Sequence, residues 1–425
     1  MNCISRSLLL ICLITCGACG VPASETDTKR ASSGYAVHYT ISPQPSDSTV
    51  AIEMTVNQTN GQLREMSFSL TDSNVSGLQT DGQLLIEDDT AYWRPNKDGG
   101  RLTWLAEVRH QRGDGGYDAW LSPDWGIFRA EDIIPRARTR TLKGASSETS
   151  MSFDLPHKWT VVSEYSTLTD NIEVSHPDRR FAQPRGWIGV GQLGIRRETI
   201  SGTRIAVAAP EGQSARRMDM LALLNWTLPE LSAVLPDSIP RLTIVSAGKP
   251  MWRGGLSAPA SIFIHVDRPL ISENATSTLV HEIVHVAMDA SAIDGFDWIV
   301  EGLAEFYSLE LLQRGGAITT RRYKRALEKQ VEWSKDAKQL CASESSGAAT
   351  ALAVVTYRDL DVELREKSGG KVSLDNVLAE ISRAPGKVSL QSLQDIVTEL
   401  LQEPSATLYI DNLPGCRKFL PASET

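Results

Sequence analysis

His281-Glu282-Ile283-Val284-His285 and, after a further fifteen residues, Glu301-Gly302-Leu303-Ala304-Glu305 decide how this chain is read. On a helix His281 and His285 lie one turn apart and project from the same face, so two neutral imidazoles can grip one metal ion while Glu282 leans beside it. A second helix beginning near Trp298 presents Glu301 to the metal from the opposite side as the third ligand. Catalytic zinc takes three protein ligands and leaves a fourth position open, and two histidines with one glutamate are a standard set. Zinc lowers the pKa of bound water from about 15.7 towards roughly 7, and Glu282 can then take the proton and hand it to a leaving amine. The reaction class is metal-assisted amide hydrolysis, with one zinc ion as cofactor and a peptide or protein as substrate. Ligand imidazoles usually donate their second N–H to a carboxylate. Glu305, one turn after Glu301, and Asp289, one turn after His285, are the candidates for that role.

The chain has 425 residues, of which 41% are hydrophobic and 22% charged, with a formal net charge of −9. This is globular composition with length for two or three cores. No basic run points to nucleic acid, and the acidic balance is spread along the chain as a solvated surface would require. Residues 1–19 differ: Arg6 precedes the apolar run Leu8–Ile14, too short to span a bilayer, and small residues suited to cleavage follow. This reads as a secretory signal, so export to the periplasm or cell envelope is expected. Gly17-Ala18-Cys19 resembles a bacterial lipobox, although Cys16 stands where Leu is usual. Cys19 is therefore either the lipidated first residue of the mature chain, which would anchor it to the membrane, or part of a plain leader. Residues 20–33, rich in Ser, Thr, Asp and Ala, read as a flexible tether. Four of the six cysteines lie in the leader, leaving Cys341 and Cys416, an even count in an oxidising compartment, as a disulfide.

The organisation expected is α+β and multidomain. From 34 to 162 the periodicity is two, as in Val50–Val56 and again at Leu102, Trp104, Ala106 and Val108, which predicts a β-sandwich-like domain. Residues 163–315 read as a thermolysin-like catalytic subdomain. Its strands near Arg204–Ala208 and Leu242–Val245 flank a helix near 213–234, with another strand at Ala260–Val266 before the metal-bearing helices. Residues 316–425 read as a helical subdomain, with Ser373 and Ser389 as helix caps. Gly189-Val190-Gly191-Gln192-Leu193-Gly194 matches G-x-G-x-x-G, but a strand and turn follow it where a dinucleotide site needs a helix.

With these motifs in hand, the chain resembles the gluzincin metallopeptidases and, within them, the glycyl aminopeptidase family, relatives of aminopeptidase N. Leu360–Asp375, with Ser373-Leu374-Asp375, looks like the segment that follows the active site there, and Tyr117–Asp132 and Phe153–Trp159 resemble the family's N-terminal β-domain. The resemblance implies a glycine-rich strand before the metal helix that pairs with substrate, here Gly254, Gly255 and Leu256. In the family that strand ends in a Glu that receives the substrate's free amine, whereas Arg253–Pro259 contains none. The resemblance also implies a Tyr donor for the oxyanion. Counting back from Leu360-Asp361 places it near Ala349-Thr350-Ala351, which has no phenol, and leaves Tyr357 as the substitute if the helix register differs. Losing one oxyanion donor costs about 3 kcal/mol in the transition state. Two functions are therefore expected from different classes: an exported zinc metallopeptidase, or a catalytically weak or silent relative kept as a zinc-stabilised binding lipoprotein.

Overall fold

The computed structural model describes residues 34–419 except 72, 166–168, 177, 178, 237, 238 and 385. The signal, the tether and Cys19 lie outside these residues. The chain forms a mixed α/β molecule of several sheets and helices.

The first half is built on alternation. Thr49–Asn57 buries Val50, Ile52, Met54 and Val56 and turns the residues between them outwards. It sits near the middle of a six-stranded sheet ordered Ile172–Val174, Ser146–Phe153, Gly34–Gln44, Thr49–Asn57, Gly99–Glu107, Val75–Thr80. A four-stranded sheet, Ala137–Thr141, Leu63–Ser69, Thr90–Arg94, Gln83–Glu87, shares its core through Met66, Phe68 and Trp93. A third sheet joins Thr160–Val162, Trp187–Gly191, Trp125–Arg129, Tyr117–Leu121 and His110–Gln111. Strand pairing in this half thus runs past Val162, because Ile172–Val174 and Trp187–Gly191 return to sheets begun earlier. The glycine motif forms the end of Trp187–Gly191 and the turn into the next strand, as its sequence context demands.

The second half is organised by one five-stranded sheet, whose strands are numbered here in chain order: β1 Leu193–Ile200, β2 Thr203–Pro210, β3 Arg241–Ala247, β4 Gly255–Ala258 and β5 Ser261–His265. Their spatial order is β1-β2-β3-β5-β4. β2, β3 and β5 run parallel, with helix α1, Arg217–Val234, as the crossover between β2 and β3. β4 is antiparallel to β5 and forms an edge. The inner strands are buried almost without a break because both faces are covered. Val207, Ile244, Ile262 and Ile264 face the helices, while Ala208, Val245, Ala247 and Phe263 pack on the third β-sheet at Trp125, Ile127 and Trp187.

Helices α2, Thr278–Met288, and α3, Trp298–Arg314, lie on the helical side. They are followed by α4 Thr320–Ser334, α5 Ala348–Ser368, α6 Leu374–Arg383 and α7 Leu390–Leu401. α3 is buried almost all round, from Trp298 to Leu312, as expected of a helix at the centre of a bundle. Gly302 lets α5 approach it, since a Cβ there would stand 2.5 Å from that of Ala353. Asp375, from the Ser-Leu-Asp segment, anchors the far end of α3 by accepting from Arg314 at 2.9 and 3.1 Å and from Tyr307 at 2.8 Å. Cys341 and Cys416 are joined in a disulfide that ties the C-terminal tail to the loop after α4. Among the described residues no helix is long and apolar enough to cross a membrane.

Candidate metal centre

Ser277 starts α2: its side chain accepts from the Val280 N–H at 3.3 Å, meeting one of the donors a helix start leaves open. The same residue is bound into α3, because Ser308 Oγ donates to its carbonyl at 3.2 Å and accepts from its N–H at 3.3 Å. This buried link fixes the register of the two helices that carry the motif residues. Leu279, Val280, Ile283, Val284 and Ala287 bury one face of α2, leaving His281 and His285 together at its margin.

The two imidazoles converge with Glu301. His281 Nε2 lies 3.1 Å from His285 Nε2, and the Glu301 oxygens lie 3.3 Å from each. Ligand distances of about 2.0–2.1 Å around tetrahedral zinc give ligand–ligand edges of roughly 3.3 Å. Neutral imidazoles and a carboxylate are also the donors such an ion prefers, so His281, His285 and Glu301 fit a metal ion and are compatible with zinc.

Glu305 accepts from His281 Nδ1 at 3.2 Å and from the Gln330 amide at 3.3 Å. Burial alone would lower the His281 pKa, but Glu301 and Glu305 outweigh it and raise it to about 10. Glu301 shows the reverse: burial opposes ionisation, yet the two histidines hold its carboxyl far below the usual range.

Glu282 is 8% exposed and takes part in no hydrogen bond or ion pair among the described residues. It faces a cavity of about 720 Å³, in the range of ligand pockets. Gly254 and Gly255 border the same space, and a Cβ on Gly255 would lie 3.0 Å from Glu282 Oε1 and 2.6 Å from Thr278 Cγ2. Glycine is therefore what allows β4 to run against α2. Gly254 receives the His265 N–H, so backbone alternation turns the N–H and C=O of Gly255 away from β5, toward the open edge. Leu256 lies on the same strand, with its carbonyl held by the Trp187 indole N–H at 3.0 Å.

Two expected residues lie elsewhere. Tyr357 is fully buried and donates to the Ile299 carbonyl at 3.0 Å, with its ring beside Trp298. It is a core residue, spent on the backbone of α3, and is corrected as a candidate oxyanion donor. Asp289 closes α2 in a left-handed conformation at φ 46°, and its carboxylate makes no hydrogen bond or ion pair with His285. The nearby acid with a defined partner is Asp297, whose carboxylate accepts the Ser345 N–H at 2.7 Å and so pins the loop before α5. Burial raises its pKa against that hydrogen bond. Sequence reasoning passed over Asp297, Gln330, Trp252 and Trp333. A polar Gln330 one turn after buried Ala326 on the sparse buried stripe of α4 was the available signal. Thr350 and Ala351, where the counting placed the missing Tyr, do line the cavity.

No family model matches the chain, and no curated protein matches it. Among solved structures it is similar to an aminopeptidase N family protein from Idiomarina loihiensis, at 15% identity over 89% of this chain and 76% of that one, with a TM-score of 0.64. The likeness is one of fold: an aminopeptidase-like arrangement of sheets and helices, with a three-residue group that can hold a metal ion.

Proposed function

We propose that the protein is an exported zinc metallopeptidase of the gluzincin type, cleaving peptide bonds in the periplasm or at the cell surface. The observation that carries this reading is the triangle of His281, His285 and Glu301 on a cavity that the unpaired Glu282 also faces. Zinc, when bound, supplies Lewis-acid activation of water and of the scissile carbonyl. Glu282 accepts the proton released as water adds to the carbonyl carbon, then delivers it to the nitrogen as the C–N bond breaks. Glu305 orients His281 and keeps its Nε2 turned to the metal side. The outward N–H and C=O of Gly255 are suited to pair with an extended substrate backbone. Export is supported by the leader-like residues 1–19 and by the disulfide; Cys19 would add a lipid anchor if acylated.

The test is mass spectrometry of a diverse peptide pool incubated with zinc-loaded protein beside Glu282→Ala. Cleavage by the intact protein, lost in the variant while zinc is retained, is expected. A Glu282→Ala protein that cuts as well as the wild type removes the mechanism.

One observation favours a second reading. No Tyr lines the cavity among the described residues, so a zinc-stabilised binding protein with little turnover also fits. It becomes the better account if neither protein cuts any peptide while both bind zinc.

A further inference from the structure

We propose that the strand-side rim of this cavity selects a carboxylate on the substrate, held by Arg253 with Arg268 beside it. The inference rests on the peptidase reading and names its substrate class: peptides with a free C-terminus or an acidic side chain close to the cleaved bond.

The charges lining the cavity fall into committed and uncommitted sets. Glu301 and Glu305 are bound to the histidines, and Glu282 adjoins them on α2. Arg268 is fixed by two donations to Thr278 Oγ1, at 3.0 and 2.7 Å, which leaves its remaining N–H groups free of protein acceptors at the start of α2. Arg253 is exposed and has no carboxylate partner among the described residues. The two guanidinium groups line the same side of the cavity, Arg253 beside Gly254 and Arg268 on Thr278; burial lowers the pKa of His265, Asp267 opposes this, and both arginines lower it further.

Position gives these cations their role. Arg253 immediately precedes Gly254 and Gly255, so a peptide laid along β4 beside Glu282 passes the guanidinium within a residue or two of the reacting carbonyl. A guanidinium matches a carboxylate with two parallel N–H donors and repels an ammonium. Asp336 is the remaining carboxylate on the cavity, and it stands on the other wall, just past the end of α4. The strand that would have to receive a free amine therefore carries a cation and no acid.

Matched fluorogenic peptides test this: one core sequence with Glu or Gln at each position flanking the cleaved bond, each with a free or amidated C-terminus, and each with a free or acetylated N-terminus. They are presented to the zinc-loaded wild type, Arg253→Ala, Arg253→Lys and Asp336→Asn. The wild type is expected to favour carboxylate-bearing peptides by about tenfold or more in kcat/KM, through KM, as one charge-assisted hydrogen bond allows. Arg253→Ala should erase the preference, and Arg253→Lys should restore part of it. The Gln/amide series separates a side-chain carboxylate from a C-terminal one.

Binding of the same peptides to zinc-loaded Glu282→Gln, read by tryptophan fluorescence from Trp252 and Trp333, is the readout that needs no turnover. Carboxylate-dependent binding lost in Arg253→Ala upholds the inference even if nothing is cleaved, in which case the peptidase reading alone fails. Cleavage indifferent to carboxylates, or an absence of binding to either peptide type, overturns the inference. So does cleavage that requires a free N-terminus and is lost in Asp336→Asn, because the cavity would then read an amine.

Discussion

The floor of the cavity and its rim are built on opposite principles. On the floor, Glu282 apart, the polar groups are partnered: His281 meets Glu301, Glu305 and His285 within 3.3 Å, and Glu305 is held in turn by buried Gln330. On the rim Arg253 and Asp336 are exposed and have no ion-pair partner among the described residues. Mutual satisfaction makes a rigid site that fixes geometry, and open valence makes a surface that waits for a ligand. In the reading proposed above, chemistry and selectivity fall to separate sets of side chains, so each can be altered while the other is left standing.

That separation can be broken most severely at Glu301. Glu301→Ala removes one of three ligands and leaves two imidazoles, so zinc affinity should fall on the order of a thousandfold, measured by competition with a chromogenic chelator. Retained affinity would mean that the ion is held elsewhere. A smaller effect is expected at Glu305. Glu305→Gln keeps the shape but weakens the acceptor for His281 Nδ1, lowering zinc affinity by about tenfold to a hundredfold with peptide selectivity unchanged. A change in selectivity without loss of zinc would collapse the distinction between floor and rim.

The smallest expected effect lies outside both. Burial would raise the Glu363 carboxyl, but donors from Ser405 and Thr407, with Lys367, hold it at about 2. Its folded pKa is thus below the unfolded value of about 4.3. The stability it contributes is present above that value and is lost as pH falls through about 2. Glu363→Gln should flatten the acid-unfolding slope between pH 4.3 and 2, by about 1 kcal/mol after solvent screening, with zinc affinity at pH 7 unchanged.

The same contrast explains what could be read in the sequence. The three candidate ligands and Glu282 lie within twenty-one consecutive positions, 281–301, and helical spacing alone brings the two histidines together. The amphipathic helices were legible from their 3.6-residue periodicity, and the inner strands as short runs rich in apolar residues. The rim is assembled from segments near 252–255, 268, 330–336 and 345–351, which share no local pattern. Tyr357 illustrates the limit. A helical Tyr reads the same whether it faces a cavity or a core, and only the tertiary approach of α5 to Gly302 commits its hydroxyl to Ile299. Asp289 and Asp297 both lie between the two parts of the motif; the left-handed turn that ends α2 sends one away, while the chain's return at Ser345 engages the other.

The covering of the five-stranded sheet on both faces also bears on how such a chain can be inherited. A piece beginning after Gly191 would carry Ala208, Val245, Ala247 and Phe263 into water, having lost Trp125, Ile127 and Trp187. It would also lose the backbone bonds from Tyr117 to Pro250 and Trp252 that hold the chain just before the glycines. The half that bears His281, His285 and Glu301 is therefore no portable cassette. Gene fusions and truncations that keep it are constrained to keep the β-sheets at its back.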